Sequence, residues 1–216
     1  MPGAVGDVRI GDGILAQLAA NLPGMMRTQH GSKRRPVSDE REEQSITITD
    51  FAPADEEATL AFCRQIFHEE GWPTEFMDPT IAAGFDRPRD LFLLAKLHGA
   101  IIGCGALKEL SPDDALLTRF FVASSHRGSE LAARLFDVLF ERARALGYAT
   151  IVLDVNRESA RAIRFYEKQG MEEFVPTPHP RWLESAPEEL QYARYFRKRV
   201  NRGRGLSDGV GKSGSR

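Results

Sequence analysis

The chain has 216 residues, with 29 Lys and Arg against 31 Asp and Glu and a formal charge of -2. That length suits one domain with extensions, and the near balance of charge excludes a dedicated nucleic-acid binder, which carries a basic excess. No apolar run approaches the ~20 residues of a membrane span, so no membrane partner is expected.

Composition changes along the chain before any element begins. Residues 1–44 hold 6 of the 19 glycines and 201–216 hold 5. The first segment ends in the polar run QHGSKRRPVSDEREEQ, and the last reads NRGRGLSDGVGKSGSR. Neither has the apolar content to order itself. We therefore expect 1–44 and 201–216 to be flexible extensions around one domain at 45–200. Within the first, Ile10, Ile14, Leu15, Leu18 and Leu22 recur at helical spacing. They suit a short amphipathic helix on its own domain, or an arm for a partner, a homodimer being one such assembly. The start MPGAVGDVRIGDGILAQL lacks the basic-then-apolar order of a secretory signal. Cys63 and Cys104 both lie in apolar surroundings, as buried free thiols of a reducing cytoplasm would.

The domain opens on SITITDF, an alternating β-branched strand. Pro53 and Asp55 start a helix to about Glu70, with Leu60, Ala61, Cys63 and Phe67 as its apolar stripe, broken by Gly71. A weaker helix is expected over 78–85. LFLLAKL and AIIGCGAL form a hairpin around His98-Gly99. After the turn SPDD, ALLTRFFV is the next strand, and SSHRGSELAARLFDVLFERARALG is the clearest helix. Its apolar face is Leu131, Leu135, Val138, Leu139 and Leu146. TIVLDV is a nearly unbroken apolar run, a strand buried on both faces. Ser159 to Gln169 is a helix stopped by Gly170, and MEEFV and LQYARYFRKRV are the last strands. The order predicts an α/β domain around a mixed central β-sheet flanked by helices.

Chemistry gathers in the second half. Small residues around Arg127 (Ala123, Ser124, Ser125, Gly128, Ser129) precede the strongest helix. The leading N–H groups of a helix lack intrahelical acceptors and carry partial positive charge. A loop of small residues lets an anion approach them, and the Arg127 fork suits phosphate. Further on, Asn156 closes the central strand and Tyr166 lies inside the next helix. Neither cysteine is placed as a nucleophile. The five histidines, at 30, 68, 98, 126 and 179, form no metal-ligand spacing.

Together the segments RFFVASSHRGSELAARLF and LDVNRESARAIRFYEKQGMEEF resemble the GCN5-related N-acetyltransferase (GNAT) superfamily. The likeness covers about 46–200 in element order and is specific over 117–174. It implies that Arg127-Gly128-Ser129-Glu130-Leu131-Ala132 is the loop that binds the pyrophosphate of acetyl-CoA. Arg127 and Ala132 match the family pattern, whereas Glu130 replaces a glycine and adds a nearby negative charge. It also implies that Phe121, Val122 and Ala123 bind pantetheine through their main chain, that Asn156 and Ser159 belong to the cofactor site, and that Tyr166 protonates the departing thiolate. Leu116 stands where many relatives carry a glutamate base. Glu109 on the preceding strand is the substitute named here, with a water chain from Glu69 or Glu70 as another route.

The expected activity is transfer of acetyl from acetyl-CoA to a primary amine of a small molecule or peptide, by direct attack and without a metal. Glu69, Glu70, Glu75 and Asp78, with Trp72 and Phe76, would make the acceptor cleft acidic and partly apolar, suiting a cationic amine. Arg157, Arg161 and Arg164 are positioned to meet the cofactor's 3′-phosphate. Two other readings remain: a non-catalytic acyl-CoA sensor or scaffold, and an ordinary nucleotide-binding α/β domain. The phosphate loop's distance from the first strand speaks against the second.

Overall fold

The computed structural model describes residues 45–74, 77, 80, 81, 84–182 and 193–200. The stripe at 10–22 and both expected extensions lie outside the described residues. So do Glu75, Phe76 and Asp78.

Seven strands form one mixed sheet: β1 (Thr47–Asp50), β2 (Leu91–Leu97), β3 (Ala100–Glu109), β4 (Asp114–Val122), β5 (Thr150–Asn156), β6 (Glu172–Glu173) and β7 (Ala193–Arg199). Their spatial order is β1-β2-β3-β4-β5-β7-β6. Only β4 and β5 are parallel neighbours. The connection between them is helix α2 (Leu131–Ala145), the helical crossover that a parallel pair requires. The other α-helices among the described residues are α1 (Glu56–Glu70) and α3 (Ala160–Lys168).

The β2–β3 hairpin turns at His98 and Gly99, with φ of 50° and 84°. Two consecutive left-handed residues match the twist of the flanking strands. The helix α1 ends at Gly71, also left-handed, whose N–H donates to the His68 carbonyl. Its buried face is Thr59, Phe62, Cys63, Ile66 and Phe67. Ala61, expected in the stripe, is exposed, because the 59–63–66 spacing turns position 61 outward.

Helix α2 begins later than the sequence pattern suggests. Arg127 is extended, and Gly128 has φ 81°, so the chain turns before it coils. Its buried residues are Leu131, Leu135, Phe136, Leu139, Phe140 and Ala143, while Val138 and Leu146 pack at the margin. The fit against β3 is close. A β-carbon at Gly105 would lie 2.7 Å from Leu139 Cδ1, so a side chain there would push α2 off the sheet.

Of the expected helix over 78–85, four residues lie outside those described. Gly84 N–H donates to the Ile81 carbonyl in a turn. The strand expected over MEEFV is only two residues long.

Two apolar layers cover the sheet. One joins α2 and α3 to Leu107, Leu117, Leu153 and Phe196. The other joins α1 to Phe92, Leu94, Cys104 and Ala106. Cys63 and Cys104 are buried free thiols there, and the Cys104 thiol donates to the Arg119 carbonyl at 3.2 Å. Burial pushes the Cys104 thiol well above its ordinary range, which suppresses its nucleophilicity. No helix among the described residues is long and apolar enough to cross a membrane.

Candidate active site

Strands β4 and β5 pair only over Asp114–Leu116 and Thr150–Val152. Beyond that point β4 runs to Val122 and β5 to Asn156 with no ladder between them among the described residues. A bulge reinforces the divergence. From the Cys104–Phe121 pair to the Ala106–Thr118 pair, β4 carries one residue more than β3, and Arg119 takes φ 50° there. The extra residue bends the strand. A cavity of about 880 Å³ fills the resulting wedge. Its size suits a small-molecule site. The unladdered edge of β4 offers main-chain groups along its length.

At one end of the wedge stands the start of α2. Arg134 N–H is already bonded in the helix, to the Glu130 carbonyl, at 2.9 Å. Leu131 N–H donates to Ser129 Oγ at 3.2 Å. The N–H groups of Ala132 and Ala133, both on the cavity wall, are the first-turn donors available to an anion. Arg127 lines the same corner. Its Nε donates to the Val122 carbonyl at 3.3 Å, which ties the side chain to the end of β4. Glu130 is exposed, makes no capping bond and is not on the cavity wall. Its carboxylate therefore points to solvent, away from the anion corner.

Of the residues singled out in the sequence, Phe121, Val122, Arg127, Gly128, Ser129, Ala132, Asn156, Ser159 and Tyr166 all line this one cavity. Ala123 and Leu131 do not. Ala123 N–H is bonded to the Ile102 carbonyl, and Leu131 belongs to the core under α1. Asn156 Oδ1 accepts from Glu158 N–H at 2.8 Å, so its carbonyl side shapes the β5–α3 turn. Its amide donors are the groups left for a ligand.

Tyr166 is 8% exposed. Phe120, Phe136, Phe165 and Phe196 surround its ring at centroid distances of 5.4–6.4 Å. Burial, and then the Asp154 carboxylate, hold its hydroxyl well above the ordinary tyrosine range. It is a neutral phenol at physiological pH and a competent donor.

Glu109 is elsewhere. It sits at the closed end of the wedge, where β4 and β5 are still paired, opposite Ala115. Arg89 Nη2 holds its carboxylate at 3.0 Å and Arg89 Nε at 3.1 Å, and Arg181 Nη1 donates to its carbonyl. These arginines hold its carboxyl below the ordinary glutamate range, Arg89 most of all. It does not line the cavity, and an ion-paired carboxylate is a poor base.

Three acids line the cavity, Glu70, Asp154 and Glu158; Asp154 is the one charged residue of β5, and the sequence reading passed over it as part of an apolar strand. Trp182 Nε1 donates to its Oδ1 at 2.8 Å. Its signal in the sequence was a lone carboxylate in an otherwise apolar run, which costs stability unless it is partnered or used.

The remaining wall is aromatic and charged. Phe67, Trp72 and Phe121 form a three-ring cluster with centroids 5.4, 6.2 and 6.1 Å apart. Glu70, Arg161 and Arg164 also reach the cavity, whereas Arg157 donates to the Ala193 carbonyl instead. Among the described residues no cluster of His, Cys, Asp or Glu could hold a metal ion.

Comparison with known proteins meets this geometry. A solved N-acetyltransferase, PaiA of Thermoplasma acidophilum in complex with coenzyme A, superposes with a TM-score of 0.57 at 17% identity. The match covers 72% of this chain and 99% of that one. An IAA acetyltransferase of Azospirillum brasilense is 31% identical over 91 residues, 42% of this chain and 60% of that protein. An uncharacterized N-acetyltransferase of Schizosaccharomyces pombe is 29% identical over 94 residues, 43% of this chain and 58% of that protein. The chain thus spans about 60% of the length of these curated relatives. The family model described as acetyltransferase (GNAT) family matches residues 57–171, a stretch that runs from α1 through the whole wedge to the end of α3. With the splayed strands, the anion corner and Tyr166 all inside that match, the chain belongs to the GNAT family of acetyltransferases.

Proposed function

We propose that the protein transfers the acetyl group of acetyl-CoA, the co-substrate typical of the family, to the amine of a small molecule or peptide. The observation that carries this reading is the convergence of Asp154 and Tyr166 on one wedge that also holds an anion corner. Acetyl-CoA supplies an activated thioester. The N–H groups of Ala132 and Ala133, with Arg127, receive its pyrophosphate. The Asn156 amide and the free edge of β4 hold the pantetheine arm. Asp154, oriented by Trp182, takes the proton of the attacking amine. Tyr166 gives its proton to the leaving thiolate, and burial keeps that proton in place until it is needed. The aromatic cluster of Phe67, Trp72 and Phe121 gives the acceptor an apolar surface, and Glu70 gives the mouth an acidic group, so a cationic amine with an apolar body suits the site. A cytoplasmic setting agrees with two buried free thiols.

The test is a CoA-release assay against amines, polyamines, amino acids and peptides. Acceptor-dependent release, greatest for an amine with an apolar body, is the expected result. CoA binding by calorimetry with no release for any acceptor would instead favour the acyl-CoA sensor.

A further inference from the structure

Glu70, the last residue of α1, reaches two arginines from two other elements. Its Oε1 lies 2.7 Å from Arg127 Nη2 and 3.2 Å from Arg161 Nη2. Glu69 adds a longer contact to Arg127, at 3.6 Å. Arg127 precedes α2 on one side of the wedge, and Arg161 lies in the first turn of α3 on the other. One carboxylate oxygen therefore joins both walls, and all three side chains line the cavity. Glu70 and Arg127 are only 27% and 24% exposed, so water screens this pair less than a free surface pair.

We propose that Glu70 is a positioning residue of the cofactor site, an internal carboxylate that clasps Arg127 and Arg161 across the mouth and competes with phosphate for them. This rests on the reading that CoA binds in the wedge. Both arginines offer planar donor forks, and a fork that satisfies a carboxylate satisfies a phosphate as well. Phosphate groups entering the anion corner must draw Arg127 away from Glu70. The carboxylate keeps the two guanidinium groups, which repel one another, gathered at the entrance. Its exchange for phosphate lowers the net gain on binding. The mature complex releases Glu70 toward Trp72 and the acceptor side, where its charge favours an incoming cation.

The test is calorimetry of CoA and of pantetheine, which lacks the phosphates, on the full chain and on Glu70→Gln. The glutamine keeps size and hydrogen bonding but removes the charge. CoA should bind roughly two- to fivefold more tightly to Glu70→Gln, the range set by a partly exposed ion pair, while pantetheine affinity stays unchanged. Glu69→Gln should give a smaller gain, in keeping with its longer contact. The Glu70→Gln gain should shrink when Arg127→Ala is already present. In steady state the KM for acetyl-CoA should fall while the KM for a cationic amine rises, since Glu70 also faces the acceptor. A Glu70→Gln chain that binds CoA no more tightly, or binds pantetheine differently by the same factor, overturns the clasp while leaving the cofactor reading intact. A wild-type chain that binds neither ligand overturns the cofactor reading, and the clasp with it. Far-UV circular dichroism of each variant confirms the fold, and Glu69→Gln carries the same comparison should Glu70→Gln not fold.

Discussion

The indole of Trp182 donates to Asp154 Oδ1 at 2.8 Å, and the charge of that same carboxylate is felt at the Tyr166 hydroxyl. Two groups of opposite proton chemistry thus line one cavity, one fixed by an indole from beyond the sheet, the other by a cage of aromatic rings. The Asp154 carboxylate accepts a hydrogen bond, and Tyr166 keeps its proton until strongly alkaline pH. A carboxylate acceptor and a phenol donor are suited to opposite halves of one proton-transfer reaction.

Asp154→Asn keeps shape and one hydrogen-bonding oxygen but cannot take a proton. We predict a fall in kcat/KM of roughly 10²- to 10⁴-fold, with the acidic limb of the pH–rate profile removed. Trp182→Phe, which loses only the indole donor, should shift that limb with a smaller loss of rate. Steady-state kinetics across pH 5–9 read both. An Asp154→Asn enzyme with the wild-type profile would leave the proton to water.

Glu109 makes the contrast. Glu109→Gln should leave turnover within a few-fold and lower the melting temperature by about 2–4 °C, because it breaks the Arg89 pairing and not the chemistry. Its folded-state carboxyl titrates below the unfolded value. Its stabilisation is therefore complete above the unfolded pKa and is lost as pH falls through the folded one. The wild-type and Glu109→Gln melting curves should converge as pH falls through the folded value. A large loss of turnover with an unchanged melting temperature would return Glu109 to the mechanism.

How much of this was open to sequence reading depends on the element. The hairpin at His98-Gly99 and the stop at Gly71 were legible, because left-handed turn positions select their residues strongly. The start of α2 was not. The run from Ser124 looks helical by composition, yet Gly128 takes a left-handed turn that only the loop's tertiary path requires. The anion corner was legible because it is local in sequence, from Arg127 to Ala132. The proposed base was not, because its position depends on register. Glu109 and Asp154 are both acids on central strands, and only the β4–β5 pairing decides which one meets the open wedge. The clasp of Glu70 on Arg127 and Arg161 joins residues 57 and 91 positions apart, and no spacing rule links them.

Alkaline stability should carry the mark of two buried phenols. Burial pushes Tyr148 up to about 12 and Tyr166 higher. A folded-state pKa above the unfolded one means that the unfolded chain gives up the proton first. Stability is then full below about pH 10 and falls as pH rises through the window to the folded values. Each tyrosine contributes a slope of about 1.4 kcal/mol per pH unit inside that window. Denaturant unfolding at pH 9, 10 and 11 should show a steepening loss, and Tyr148→Phe should flatten it. The variant gives up the Tyr148 hydroxyl's bond to the Arg89 carbonyl, at 3.0 Å, so its stability at pH 7 should be slightly lower. An identical slope in the variant would contradict the assignment.

The role of Tyr166 is the centre of the proposed mechanism, and Tyr166→Phe tests it most directly. The change keeps the ring and its packing against Phe120, Phe136 and Phe165, so folding and CoA affinity should hold. With the acceptor that gives the fastest CoA release, kcat should fall by roughly 10- to 1000-fold, while the KM for acetyl-CoA stays within a few-fold. A Tyr166→Phe enzyme that folds normally and turns over at the wild-type rate would contradict it.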